Sequence, residues 1–411
     1  MKIAISTSVI ARGKSGVGQY VLSLVRGLMP AAQSHDFTLF TLEEDLPLFA
    51  FAAGAMRVEP VAERHRPALS NIRWHQTEFA RWLRRERFDL AHVPSYRRLL
   101  WRQPCALVAT IHDLAPFRLA GKYDPLRMFY GRVVARRLAR RQHEIIAVSQ
   151  MTADDVKQFF QIPSERVAVV PNGIDHSQFK PGEVEASRRR VCDPRGLKAP
   201  FFLYVARLEH PAKNHVRLVT AFNQFKARTG LPWRLVLGGT DWHGAEEIHK
   251  AVEHSPYRGH IVRLGFVPDR DLPHWYRSAE GLVFPSLYEG FGLPPIEAMA
   301  CACPVLSSRR GALTEVVGDA AGVLEPEDPV QMADAMIRFA QDPAERRRLR
   351  TLGLVHAQRY DWRLAAIATL TVYERAHRRY CAVAGGADPG ACDIKNGTAG
   401  VSAPGYSNAG T

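Results

Sequence analysis

A chain of 411 residues is longer than one ordinary domain and fits two units with separate cores. Its formal charge of +14 points to an anionic partner, yet no aromatic-basic RNA motif, zinc-finger spacing or basic zipper accompanies it, so nucleic acid is not the expected ligand. No apolar run is long enough to span a bilayer, and the start turns polar at Ser6, Thr7 and Ser8, too soon for a signal-peptide core; a cytoplasmic protein is expected.

In chain order, strands are predicted at Ile3 to Ser6, Phe37 to Phe40, Leu90 to Val93, Leu107 to Ile111, Ile145 to Val148 and Val167 to Val170. Helices are predicted between them near Gly18 to Leu28, Gln76 to Arg85, Leu126 to Arg141 and Thr152 to Phe160. The turn signal Val-Pro-Asn-Gly-Ile-Asp at 170–175 and a polar stretch, His176 to Pro200, read as a linker. A second series of strands follows at Phe201 to Val205, Leu235 to Gly238, Ile261 to Leu264, Gly281 to Phe284 and Val305 to Ser307. Trp362 to Arg378 has the pattern of a long amphipathic helix, and the Gly-, Ala- and Ser-rich residues 381–411 read as a disordered tail. Alternation of this kind predicts an α/β chain of two doubly wound parallel sheets with Rossmann-like topology, spanning 1–180 and 181–360 and facing each other across a cleft.

Much of the basic excess lies in the first half, at Arg81, Arg84, Arg85 and Arg87 and again at Arg127, Arg132, Arg136, Arg137, Arg140 and Arg141. Val133, Val134 and Leu138 alternate with the second group at near-helical spacing, so one face can pack inward while the other meets lipid head groups, pyrophosphate or simply solvent. Six cysteines (Cys105, Cys192, Cys301, Cys303, Cys381 and Cys392) have neither a disulfide framework nor C-x-x-C spacing, and reduced thiols are expected. Cys301-Ala302-Cys303 falls where a helix gives way to a strand and reads as small buried residues rather than metal ligands.

Chemistry gathers at the predicted strand ends. Gly13-Lys14-Ser15-Gly16-Val17-Gly18 follows the first strand; its amides can bind phosphate, although the spacing is neither a P-loop nor a dinucleotide fingerprint and equally suits a tight turn. Thr110-Ile111-His112-Asp113-Leu114 ends another strand, with Asp113 able to cap the next turn. In the second half, Arg207 and Lys213 lie six residues apart after a strand, as two cations that neutralise a departing anion do and as surface cations at a helix start also do. Asp269-Arg270-Asp271 has the form of a metal-binding D-x-D, but Pro268 before it and the helical run after it favour capping acids.

The most informative stretch is Pro285-Ser-Leu-Tyr-Glu289-Gly290-Phe291-Gly292-Leu293-Pro-Pro-Ile-Glu297, crossing from a buried strand through a glycine loop into a helix. It resembles the E-x7-E segment of retaining nucleotide-sugar glycosyltransferases of the GT-B fold, in particular glycosyltransferase family 4, and the resemblance covers roughly residues 1 to 378. It implies a hexosyltransferase with a C-terminal helix (361–380) crossing back to the first domain. It also implies that Glu289 and the amides of Gly290, Phe291, Gly292 and Leu293 contact the donor sugar, and that Glu297 binds the ribose. Arg207 and Lys213 would hold the diphosphate, Gly16 and Gly18 would face it, and His112 would lie beside the sugar. No metal or cofactor is expected. The overall pattern looks most like bacterial mannosyltransferases of lipopolysaccharide or exopolysaccharide assembly. That implies GDP-mannose as donor, a UDP-hexose as the second choice, and a glycan or polyprenyl-diphosphate-linked acceptor at an anionic membrane surface. A GT-B epimerase or phosphorylase and a silent glycan- or membrane-binding module are the rival readings. Ala206, Ala302 and Thr314 depart from the family pattern, where glycine, glycine and proline are frequent.

Overall fold

A computed structural model describes residues 1–118 and 128–384. The 381–411 tail, Arg127, Cys392 and the start of the Leu126 to Arg141 helix therefore lie wholly or largely outside the described residues.

Seven strands form the first sheet: β1 (Lys2–Ser6), β2 (Asp36–Leu42), β3 (Arg57–Val61), β4 (Leu90–Val93), β5 (Ala106–Ile111), β6 (Glu144–Ala147) and β7 (Val167–Val169). All neighbours are parallel, in the order β3-β2-β1-β4-β5-β6-β7. The inner strands read as mostly apolar runs rather than alternating ones because helices cover both faces; every residue of β4, β5 and β6 is buried, His92, Thr110 and Glu144 included. The second sheet contains β8 (Phe201–Val205), β9 (Arg234–Gly238), β10 (Ile261–Gly265), β11 (Gly281–Phe284), β12 (Val305–Ser307) and β13 (Gly322–Val323), also parallel, in the order β10-β9-β8-β11-β12-β13. Strand order reverses between β1 and β4 in one sheet and between β8 and β11 in the other. Those are the places where loops at the carboxyl ends diverge and leave room for a ligand.

Two strands escape the sequence pattern. In β3, Pro60 and the two charged positions Arg57 and Glu59 out of five hide a strand, and the sheet accepts them because β3 pairs only with β2 and sits at the edge. With only two residues, β13 is too short to leave a periodic signal. The polar stretch after 176 is also more than a linker: Val184–Val191 is a helix packed on Leu272–Ser278 in the second domain. It reads as polar because only Ser187 and Val191 of its eight residues are buried.

The helix Trp362–Ala384 leaves the second domain and packs on the helix Gly16–Leu28 and on β5 and β6 of the first. Its anchors are polar as well as apolar. The Tyr373 hydroxyl lies 2.7 Å from His92 Nδ1 in the first core, and Arg375 and Arg379 both bond the fully buried Glu144 carboxylate, at 2.6 and 3.1 Å. Burying that carboxylate unpaired would be costly, so the two arginines fix where the crossing helix lands. Cys105, Cys192, Cys301 and Cys303 are free and buried, as small core residues should be, but Cys381 is disulfide-bonded, contrary to the expectation of thiols throughout. It sits half-buried in the last turn of the crossing helix, its sulfur 3.7 Å from His377 Nε2.

Candidate functional site

Lys213 and Glu289 come from opposite sides of the second sheet's switch point, one following β8 and the other β11, and they meet. Lys213 Nζ lies 2.6 Å from Glu289 Oε1, and both side chains are mostly buried. Backbone contacts hold the pair in place. The Tyr204 hydroxyl donates to the Lys213 carbonyl at 2.6 Å, while the Ala312 amide donates to the Glu289 carbonyl at 3.0 Å. Arg207 is more exposed; it bonds Glu209 at 3.3 Å and stacks 4.7 Å over the Trp242 ring, which presents its guanidinium as a flat plate at the rim. Trp242 and the segment Gly311-Ala312 were missed by sequence reasoning. Only the Gly-Ala dipeptide before the apolar helix Leu313–Val317 hints at them.

Beyond Gly292, whose φ of +105° fits the left-handed cap of a helix start, Leu293–Ala300 forms a helix with both prolines in its first turn. Glu297 projects from it toward Tyr276, whose hydroxyl donates to Glu297 Oε2 at 2.8 Å. Burial pushes the Glu297 carboxyl up to about 7, a shift opposed by that hydroxyl bond and helped by the nearby Asp269. The side chain of Phe291 turns inward, buried 5.5 Å from the Tyr360 ring, so this residue offers the cleft only its backbone.

The two domains touch at this loop. A Cβ on Gly290 would lie 1.8 Å from the His112 carbonyl oxygen, so the glycine is what lets the second domain's loop rest on the end of β5. The Gly290 carbonyl in turn accepts from Ser149 Oγ at 2.7 Å and Thr152 Oγ1 at 3.3 Å, both after β6. His112 places Nε2 3.1 Å from the Pro94 carbonyl, which assigns the ring proton to Nε2, and burial lowers its basicity, so a neutral ring with an accepting Nδ1 faces this junction. Asp113 does cap the following turn, accepting from the Ala115 amide at 3.0 Å. Nearby, the Tyr288 hydroxyl donates to the buried Asp155 at 2.9 Å and accepts from the Leu114 amide at 3.3 Å, while Arg118 bonds Asp155 from the other side. Replacing Tyr288 by phenylalanine is expected to remove about 1.5–3 kcal/mol of charge-assisted bonding. The check is hydrogen exchange at the Leu114 amide, which should speed up roughly tenfold or more.

The first-strand glycine loop only partly matches its expected role. Ser15 caps the helix Gly16–Leu28 by accepting from the Gly18 amide at 3.0 Å, so that amide is already engaged and does not face a diphosphate. Gly18 is required for packing instead, since a Cβ there would sit 2.5 Å from the Ile10 carbonyl. Gly16, by contrast, has open space before it, and the loop reaches the other domain through Gln19, which donates to Asp269 at 2.9 Å. Asp271 holds the N-cap position of Leu272–Ser278 but makes no capping bond, pairing with Arg190 instead. Among the described residues no group of three or more His, Cys, Asp or Glu side chains is arranged to hold a metal ion.

The basic stretch after Tyr130 is largely tied inward rather than presented as an open face. Arg132 bonds the Pro116 carbonyl, Arg136 and Arg140 converge on Gln161, and Arg141 bonds the Trp101 carbonyl and stacks on its ring at 5.0 Å. No helix among the described residues is long and apolar enough to cross a membrane.

Comparison with known proteins agrees with the two-domain fold. Residues 14–178 match the model of Glycosyltransferase Family 4, and residues 193–353 match that of Glycosyl transferases group 1. The chain is 27% identical over 386 residues to O-antigen chain mannosyltransferase B of Escherichia coli, covering 91% of this chain and 100% of that protein. It is 30% identical over 353 residues to D-inositol 3-phosphate glycosyltransferase of Thermobispora bispora, covering 81% and 78%. Among solved structures, Anabaena HepE in complex with UDP and glucose superposes with a TM-score of 0.72 at 19% identity over 91% of this chain and 99% of that one, which shows the shared fold. With two parallel-sheet domains, a crossing C-terminal helix and these matches along nearly its whole described length, the chain belongs to the family 4 glycosyltransferases of the GT-B fold.

Proposed function

We propose that this glycosyltransferase moves mannose from GDP-mannose, with retention at the anomeric carbon, onto a glycan or polyprenyl-diphosphate-linked acceptor in the assembly of a cell-surface polysaccharide. The Lys213–Glu289 pair at the switch point carries the reading. It sets a cation where a leaving diphosphate gathers charge, directly beside a carboxylate able to hold sugar hydroxyls. Arg207 adds a second cation at the rim, while Gly290 to Leu293 offer loop amides to the sugar and the helix start. Gly16 approaches the diphosphate from the first domain, and His112 Nδ1 accepts from a sugar hydroxyl. Among the described residues no side chain is placed as a dedicated nucleophile, which suits attack by the acceptor hydroxyl on the face the diphosphate leaves. Because two fixed cations neutralise the leaving group, the reaction needs no divalent ion, and transfer should persist in excess chelator.

The similarity to an O-antigen mannosyltransferase supports the donor and the pathway class. The UDP and glucose bound by HepE make a UDP-hexose the donor to test second. Incubating the protein with each nucleotide sugar, with and without a lipid-linked glycan, and reading the anomeric configuration of the product by NMR tests the whole reading. A new α-mannosyl linkage formed from GDP-mannose only when acceptor is present is expected. Conversion of the donor alone, or an inverted linkage, would overturn it.

Glu297 gives this reading a pH dependence. A ribose diol is bound best by the ionised carboxylate, and near neutrality that form competes with the protonated one. Donor affinity is therefore expected to rise by up to about tenfold between about pH 6 and about pH 8, and Glu297→Gln should flatten the profile. The stability term runs the other way: a carboxyl raised to about 7 on folding contributes stability below its unfolded value and loses it as pH climbs through 7. Calorimetric titration of the nucleotide at several pH values, beside melting curves, separates the two.

A further inference from the structure

A cavity of about 650 Å³ lies on the first domain, away from the residues assigned to the donor. It is bounded by the turn after β3 and by the helical segments Ala68–Trp74, His75–Phe79 and Ala80–Arg85. Its lining residues on those segments recur every three or four positions, from Ser70 to Arg85, so a single helical face forms the wall.

Four of the lining side chains are arginines: Arg64, Arg73, Arg81 and Arg85. Unlike Arg132, Arg136, Arg140 and Arg141, three of them (Arg64, Arg73 and Arg81) have no side-chain hydrogen bond, ion pair or ring contact among the described residues. Arg85 pairs weakly with Glu86 at 3.4 Å and stacks 4.9 Å over Trp82. Among the described residues one carboxylate, Glu78, lines the cavity, and it lies 3.5 Å from Nε2 of His65, a residue 8% exposed whose Nε2 makes no hydrogen bond. Like charges four apart on a helix destabilise it, and here Arg81 and Arg85 stand so. A concave site with several unpaired guanidinium forks, one carboxylate and an aromatic wall is suited to phosphate oxygens, which arginine binds two at a time.

We propose that this cavity is a second oxyanion site that holds a phosphate or diphosphate group, independent of the donor's diphosphate. Its position fits a ligand reaching toward the cleft. Arg64 and His65 follow the carboxyl end of β3, on the same side of the sheet as Gly16 and His112. Four strand spacings of about 4.8 Å separate β3 from β5, so the top of the cavity lies on the order of 20 Å from His112. That gap spans a few sugar units, which is what a phosphate-anchored glycan would need to present its far end for extension. The existence of the site does not depend on the donor assigned above.

The experiment is calorimetric titration of the full chain with inorganic pyrophosphate while excess GDP, and separately UDP, keeps the donor site filled. Binding should persist under nucleotide, weaken at least about tenfold in Arg73→Glu/Arg81→Glu, and weaken less in Arg73→Lys/Arg81→Lys, which keeps the charge and loses the fork. Nucleotide affinity should stay unchanged in both. Arg73 and Arg81 are exposed, so folding should survive, and the lysine pair tests the site even where charge reversal harms the fold. Sedimentation with phosphatidylglycerol vesicles, against phosphatidylcholine vesicles, identifies the source. Arginine-dependent pelleting assigns the phosphate to a lipid headgroup, and pyrophosphate binding without pelleting assigns it to an acceptor. Pyrophosphate binding that vanishes under nucleotide, or that the arginine pairs leave untouched, overturns the proposal.

Discussion

Replacing Lys213 by alanine is expected to lower kcat/KM for transfer by roughly 100-fold to 1,000-fold, with most of the loss in kcat. Lys213 lies 2.6 Å from Glu289 in a mostly buried setting, so the ammonium is held in place before any donor arrives. Charge on the diphosphate grows as the glycosidic bond breaks, and a fixed cation stabilises that state more than the bound ground state. The change also strips Glu289 of its partner, and a mostly buried carboxylate left alone perturbs the loop that carries it. Glu289→Ala and the double variant therefore belong in the same experiment. If the pair acts as a unit, the double variant should be little worse than the worse single one, rather than showing the product of the two losses. Lys213→Arg tests geometry, because it keeps the charge but brings a planar fork too large for the 2.6 Å contact, and partial activity is expected. Full activity in Lys213→Ala, with the melting curve unchanged, would remove the leaving-group role.

Much of this arrangement was legible because it rests on local patterns. The run from Pro285 to Glu297 contains its own strand, glycine cap and proline-led helix, and Arg207 and Lys213 bracket the loop after a strand that announces itself with five consecutive apolar residues. Both patterns place residues at the carboxyl ends of adjacent strands of one sheet, so their meeting follows from topology alone. What could not be read is what depends on distant segments closing on each other. Ser149, Thr152, Asp155 and Tyr288 look like an ordinary cap, two helix residues and a loop aromatic, and only the approach of the domains makes them partners. The packing around Gly18 was hidden for a related reason: a helix-start glycine that frees an amide for a ligand and one that makes room for a neighbouring carbonyl have the same sequence signature. The arginines show the same limit. Arg132, Arg136, Arg140 and Arg141 read from the sequence much as Arg73 and Arg81 do, and tertiary contacts alone decide that the first four are consumed internally while the other two face an open cavity.

Gly290→Ala is expected to abolish transfer, by at least about 100-fold, while leaving both sheets folded. The new Cβ would lie 1.8 Å from the His112 carbonyl oxygen and 2.9 Å from both the His112 carbonyl carbon and the Asp113 Cβ. Two of those obstacles are backbone atoms, so no rotamer change relieves the clash, and the loop must retreat by more than an ångström. Retreat would lengthen the bonds from Ser149 and Thr152 to the Gly290 carbonyl, the contacts that hold the two domains together at this point. It would also carry Glu289, one residue away, off its place beside Lys213, and misplacement on that scale costs on the order of 100-fold in rate. Since the clash lies between domains and not within a core, each sheet keeps its own packing and the melting curve should move little. Small-angle scattering should report a more open pair of domains, and nucleotide binding should be weakened less than transfer. Gly259→Ala, where an added Cβ meets nothing within 4 Å, is the matched control and should behave as the parent protein does. A fully active Gly290→Ala with unaltered scattering would mean that contact between the loop and the end of β5 is not part of the working site.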